Sequence, residues 1–258
     1  MTAHHPDHTT IDRPGELPGQ PQRVPFHRLV LVETRKLFDT RSSKILTAIV
    51  PALTVAAVVA RAVTIRADLH TLIGTASVGY ILLPVIAILT VTGEWSHRTA
   101  LTTFTLEPRR LRALAAKSVP ALGLGVVATA FAVLVAAPVT AVAGAQDAWN
   151  VTPLALLGLT AMNVISLCQG MALGLLLLNA PVAIVIYLLS PMVWAFVAQA
   201  GDAGASVASW LDLGTTTAPL WSGGWTGLGA AQLAVSMVFW LVLPATLGAV
   251  RVLRKEVH

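Results

Sequence analysis

From Ser118 to Val250 the chain contains no lysine and no arginine, and its only carboxylates there are Asp147, Asp202 and Asp212. A soluble fold cannot hide a stretch of that length and apolarity. Over the whole chain, hydrophobic residues make up 55% and charged residues 11%, against roughly 25% charged in a typical soluble domain. Several apolar runs reach the ~20 residues that a helix needs to cross ~30 Å of hydrocarbon. The sequence therefore describes an integral membrane protein with an all-α polytopic fold.

Six spans are expected, at about residues 44–63, 72–91, 115–143, 153–178, 182–200 and 228–250. Pro84 lies inside the second, and Pro120 and Pro138 are expected to bend or bound the third. Of the 17 Lys and Arg, 15 fall at or before Lys44, between Arg98 and Lys117, or after Val250. Six spans put those three segments on one side of the bilayer. The positive-inside rule makes that side the cytoplasm, with both termini in it. The expected location is the cell membrane, multi-pass. This topology accounts for the net charge of +5 without a nucleic-acid partner.

The first 23 residues are polar and Pro-rich without an apolar core, which predicts a disordered cytoplasmic tail and not a signal peptide. His4, His5 and His8 in that tail are not read as a metal tract. The single Cys168 provides no disulfide framework. Residues 24–43 read as an amphipathic helix lying in the cytoplasmic interface. Phe26, Leu29, Val30 and Leu37 share one side, while Arg28, Arg35 and Asp39 share the other and face lipid head groups. Glu33 falls on the apolar side and breaks the pattern. Residues 251–258 form a basic cytoplasmic tail.

Ion-driven carriers hold ionisable groups at membrane depth. Here Asp147, Asp202 and Asp212 all fall in expected external loops. The polar residues within spans include Asn163, Ser166, Gln169 and Ser190. They read as interhelical hydrogen-bonding groups or, for Asn163, Gln169 and Ser190, as the lining of a substrate path. Gly170 and Gly174 form a GxxxG pair, a signal for close helix contact. A P-loop needs Gly before its Lys-Ser/Thr pair, and the one such pair, Lys117-Ser118, follows Ala116. There is no HExxH, no GxSxG and no buried acid pair. The chain is expected to be no enzyme and to hold no metal or cofactor of its own.

Residues 94–114 form a cytoplasmic loop longer than a chain reversal requires. Pro108 suits the first turn of a helix, and Arg109, Arg110, Arg112 and Lys117 behind it serve to enforce topology. The preceding half, Glu94 to Phe104, presents mixed charge and hydroxyls on a short helix at the membrane face. That is the form a membrane subunit needs to receive a push from a soluble motor.

With these features the chain resembles the membrane permeases of ABC transporters of the type-2 export class, over roughly residues 24–254. The resemblance rests on a charged interface helix ending in RKLFDTRSS, on six spans, and on TGEWSH at 92–97 with Thr99 beyond it, a Gly-Glu-aromatic element. PRRLRALAAK at 108–117 is similar to the family's Pro-Arg-Arg and Ala-Lys continuation. Arg98 departs from the pattern by standing where Gly is common, which implies a different local turn or docking surface. The resemblance implies a half-transporter that pairs with a second copy, or with a related permease, to form the translocation path. Separate P-loop ATPase subunits would bind ATP and Mg. It implies a coupling helix carrying Glu94, Trp95, His97, Arg98, Thr99, Thr102 and Phe104, and a smaller second contact at Asn179 and Pro181. Residues 201–227 would form external helices that cap the path, with Trp210, Trp221 and Trp225 on them. Walls without fixed charge favour an amphipathic lipid or hydrophobic drug-like substrate. The alternative is a non-transporting membrane scaffold or immunity protein that binds a peptide or protein partner. Membrane lipids contact the chain in either reading.

Overall fold

The structure, a computed structural model, describes residues 25–39, 41–96, 110–143 and 148–254. Among the described residues every regular element is helical, as expected where no water is present to satisfy an open backbone. Helix α1 (Phe26–Asp39) leads into the first span, α2 (Arg41–Thr64). The second span is broken into α3 (Leu69–Ala76), a 3₁₀ stretch (Ser77–Leu82) and α4 (Leu83–Ser96). The third, fourth and fifth are α5 (Arg110–Ala143), α6 (Pro153–Leu177) and α7 (Ala180–Ala198). Two short helices follow, α8 (Gly201–Leu211) and α9 (Leu213–Ser222). The sixth span comprises α10 (Gly227–Met237), a π turn (Val238–Val242) and α11 (Leu243–Arg254). Among the described residues six rods are long and apolar enough to cross a membrane, the architecture of a helical, multi-pass membrane protein.

The irregular turns have local causes. Proline has no N–H to continue an α ladder. Ahead of Pro84 the chain tightens, and Leu83 N–H donates to the Tyr80 carbonyl. Ahead of Pro244 it loosens instead, and Leu243 N–H reaches back to the Val238 carbonyl, a π-type step. Pro120 and Pro138 do not bound the third span; both lie inside one continuous helix. That α5 starts at Arg110, and α2 starts at Arg41, each a few residues before the expected span.

The second span is the centre of the bundle. Its most apolar window is 61% buried, whereas those of the first, fifth and sixth spans are 17% buried. Glycine allows the neighbours to come close. A Cβ on Gly170 would stand 2.6 Å from the Pro84 carbonyl oxygen, and Gly174 lies over Ile88. The GxxxG pair is therefore the seam between α6 and α4. On another side of α6, a Cβ on Gly248 would stand 2.6 Å from the Leu175 carbonyl carbon. These backbone approaches supply the dispersion contacts that hold helices together in lipid.

Helix α1 packs on α5 through Glu33, the residue that broke the amphipathic pattern. The Glu33 carboxylate accepts from Lys117 Nζ at 2.7 Å and from Lys36 Nζ at 2.8 Å. Lys117 is only 3% exposed. It is thus a buried anchor between two helices, where the sequence had suggested a cation serving topology. A buried charge of either sign needs such a partner.

Helices α8 and α9 form a hairpin that folds back into the bundle. Gly204 lies against the Val197 carbonyl near the end of α7. Deeper in, Trp240 Nε1 donates to the Leu211 carbonyl at 2.7 Å, and the Thr216 and Ser236 hydroxyls are 2.7 Å apart. Helix α9 then returns along α6, until the Leu220 backbone rests directly on Gly158. The turn at Asp212 therefore sits beside the middle of the fourth, fifth and sixth spans and not beyond their ends.

Candidate functional site

The expected coupling segment lies largely outside the described residues. Glu94 and Trp95 fall in the last turn of α4; His97, Arg98, Thr99, Thr102 and Phe104 are outside. Its two flanks are placed, because α4 and α5 both belong to the central bundle.

The second contact, at Asn179 and Pro181, is a tight reversal. Leu178 adopts φ 50° and donates its N–H to the Gly174 carbonyl at 2.9 Å, closing α6. The Asn179 side chain then accepts from Val182 N–H at 3.2 Å, opening α7, with Pro181 in the first turn. The same end carries a residue that sequence reasoning treated only as part of a basic tail. Arg251 Nη1 donates to the Leu176 carbonyl at 2.8 Å, where a cation complements the free carbonyls and dipole of a helix end. Nothing in the spacing of the sequence signals that contact.

The three polar residues assigned to a path separate into two places. Asn163 Nδ2 donates to Thr129 Oγ1 at 3.1 Å and links α6 to α5; it is a structural bond. Gln169 and Ser190 instead meet across a cavity of about 160 Å³, whose lining also includes Ser166, Tyr187, Asp212 and Trp240. Gln169 is 6% exposed. Among the described residues, neither its amide nor the Ser166 hydroxyl has a hydrogen-bond partner. Ser190 donates to the Tyr187 carbonyl at 2.8 Å.

Asp212 belongs to this cavity and was expected in an external loop. Its carboxylate caps α9, accepting from Gly214 N–H at 3.1 Å and from Thr215 N–H and Oγ1 at 3.3 and 2.5 Å. Those three bonds leave one acceptor position free on a carboxylate with roughly four. Among the described residues it forms no ion pair. The composition explains why, since no Lys or Arg occurs from Ser118 to Val250.

The tryptophans expected to form a cap also divide. Trp210 is in the last turn of α8, at the deep end of the hairpin. Trp221 and Trp225 line an open cavity of about 460 Å³ at the outer root, with His70 and Asn150. The His70 and Trp221 rings stack at 4.1 Å, and Asn150 Nδ2 donates to Asp68 Oδ2 at 2.6 Å. Asp68 caps α3, accepting from Thr71 N–H at 2.8 Å. Bonding from Thr71, through its hydroxyl and its N–H, with help from Asn150, holds the Asp68 carboxyl below the usual carboxylate range.

No protein-family model matches the chain, and no curated protein is detectably similar to it.

Proposed function

We propose that the chain is the membrane permease subunit of an ATP-driven ABC exporter of the type-2 class. It lies in the cell membrane with both termini cytoplasmic and α1 in the cytoplasmic interface. With a second copy, or a related permease, it forms the translocation path for an amphipathic lipid or hydrophobic drug-like substrate. Separate P-loop ATPase subunits supply the energy, binding ATP and Mg.

The observation that supports this reading is how the charged segment after α4 is attached. On one side it continues the second span, the most buried element of the bundle. On the other it leads into α5, which the Glu33–Lys117 pair ties to α1. A displacement of Glu94 to Phe104 would therefore reach the core of the bundle and the interface helix together. Nucleotide-driven closure of the ATPase would move the segment, while Asn179 to Pro181 forms the smaller contact. The hairpin of α8 and α9 closes the path from the external side, with Trp221 at its outer end and Trp210 at its deep end.

The test is an affinity pull-down of the full chain in mild detergent, with ATPase activity assayed on the eluate. The expected result is a co-purifying P-loop ATPase that is lost when Glu94 and Arg98 are replaced by Ala. If no nucleotide-binding partner is recovered while a control transporter stays intact, the chain is better read as a membrane scaffold or immunity protein.

A further inference from the structure

The cavity beside Asp212 has a charge character that the spans otherwise lack. A carboxylate at membrane depth is strongly disfavoured unless something compensates it. Its three hydrogen bonds and the positive end of α9 do part of this. No Lys or Arg occurs from Ser118 to Val250. Beside it Gln169 is almost fully buried, and its amide has no hydrogen-bond partner among the described residues. Its polar atoms open onto the cavity, where a bound polar group can pair with them.

The polar cavity continues into an apolar one. Ser190, Trp194 and Trp240 line both the 160 Å³ cavity and a groove of about 360 Å³ between α7 and the π turn. The rest of that groove is hydrocarbon and aromatic, from Val185, Leu189 and Phe239 among others. Together the two spaces reach the size of small-molecule sites, about 300–1,000 Å³. The π turn places Trp240 at their junction, and its indole N–H is already bonded to Leu211. The indole faces of Trp194 and Trp240 suit a positive charge at the junction.

We propose that this is a binding site for a cationic amphiphile, with an ammonium head between Asp212 and Gln169 and a hydrocarbon body in the groove along Trp194 and Trp240. The ammonium donates to the free lone pair of Asp212 and to the Gln169 carbonyl, and its charge replaces the missing basic side chain. An anionic head meets the carboxylate with no cation to offset it. A neutral head can bond Gln169 and Asp212 but leaves the Asp212 charge without a counter-charge. Binding stands without the transporter reading; that the bound molecule is also the exported one rests on that reading.

The experiment uses the full chain in phosphatidylcholine nanodiscs, with an ω-bromoalkyl ammonium salt as the probe and tryptophan fluorescence as the readout. The expected result is saturable quenching by the ammonium probe. The matching bromoalkyl sulfate and bromoalkyl glucoside should give only the linear quenching of probe dissolved in the bilayer. Asp212→Asn keeps an N-cap acceptor and removes the charge. It should weaken binding by about tenfold, the factor expected for one charge-assisted hydrogen bond, and Gln169→Leu should also weaken it. Equal saturable quenching by sulfate or glucoside in the unmodified chain would overturn the proposal, as would an Asp212→Asn variant that binds the ammonium probe unchanged. No ATPase is present in this measurement, so its outcome is independent of the pull-down.

Discussion

Lys117 Nζ lies 2.7 Å from Glu33 Oε2, joining residues 84 positions apart in the chain. Each charge is buried by the helix that carries the other. Removing either side chain breaks a buried charge-assisted hydrogen bond, which costs about 1.5–3 kcal/mol, while Glu33 keeps Lys36 when Lys117 is lost. Lys117→Met and Glu33→Gln should each lower the thermal unfolding temperature in detergent. The double variant should be destabilised by clearly less than the sum of the two. Strictly additive effects would mean that the two side chains do not depend on each other.

Gly158 and Gly123 make a paired test of the close approaches. The Leu220 backbone occupies the place of a Cβ at Gly158, whereas nothing stands within 4 Å of one at Gly123. Gly158→Ala should destabilise by about 1–3 kcal/mol through forced displacement of α9. Gly123→Ala should be neutral or stabilising by up to about 1 kcal/mol, because alanine is the better helix former. Comparing melting temperatures of the two variants checks both, and equal losses would argue against the hairpin position.

Asn163 and Gln169 lie six positions apart on one helix yet should respond differently. Asn163→Ala should cost about 0.6–1.5 kcal/mol, the range for an interhelical hydrogen bond in a membrane bundle. It should leave amphiphile binding unchanged. Gln169→Leu should leave the melting temperature nearly unchanged or raise it, since its amide bonds no other described residue. Measuring stability and quenching on the same preparations separates the two roles.

Asp68 should make the α3 terminus pH-dependent. Its carboxyl is held below the usual range in the folded state. The stabilisation is therefore present above the unfolded-state value of about 3.9 and disappears as pH falls through the lower folded value. Asp68→Ala should cost about 1 kcal/mol near neutrality, as for other N-caps. The gap in melting temperature from the unmodified chain should narrow below about pH 4. A gap that stays constant into strong acid would show that the carboxylate form is not what matters.

The six spans were legible because hydropathy over ~20 residues is set by the bilayer and hardly at all by neighbouring helices. Pair-specific features were not legible. Glu33 broke a helical stripe, and its reason was a lysine on another helix. Residues 201–227 read as external because of their glycines and threonines. The structure shows why that composition tolerates depth: Thr217 donates to the Leu213 carbonyl, and the Thr216 and Ser236 hydroxyls satisfy each other. Of the three polar residues assigned to a path, Gln169 and Ser190 line one cavity and Asn163 forms a structural bond. The sequence did not place Asp212 and Trp240 beside them, because a hairpin and a π turn that local sequence does not encode bring them there.

The hairpin also bears on the order in which the protein is made. Helix α8 has 11 residues and α9 has 10, each about 16 Å long at 1.5 Å per residue. Neither can insert across ~30 Å of hydrocarbon alone. Each leaves helix-end groups that lipid cannot satisfy. Among the described residues the Leu211 carbonyl accepts from Trp240, and the Thr216 hydroxyl, which also bonds the Leu213 carbonyl, meets Ser236. Both partners belong to the sixth span, which the ribosome delivers after the hairpin. The hairpin's bonds to the sixth span can therefore form only once that span is in place, and the cavity at Asp212, which Trp240 also lines, is complete only then.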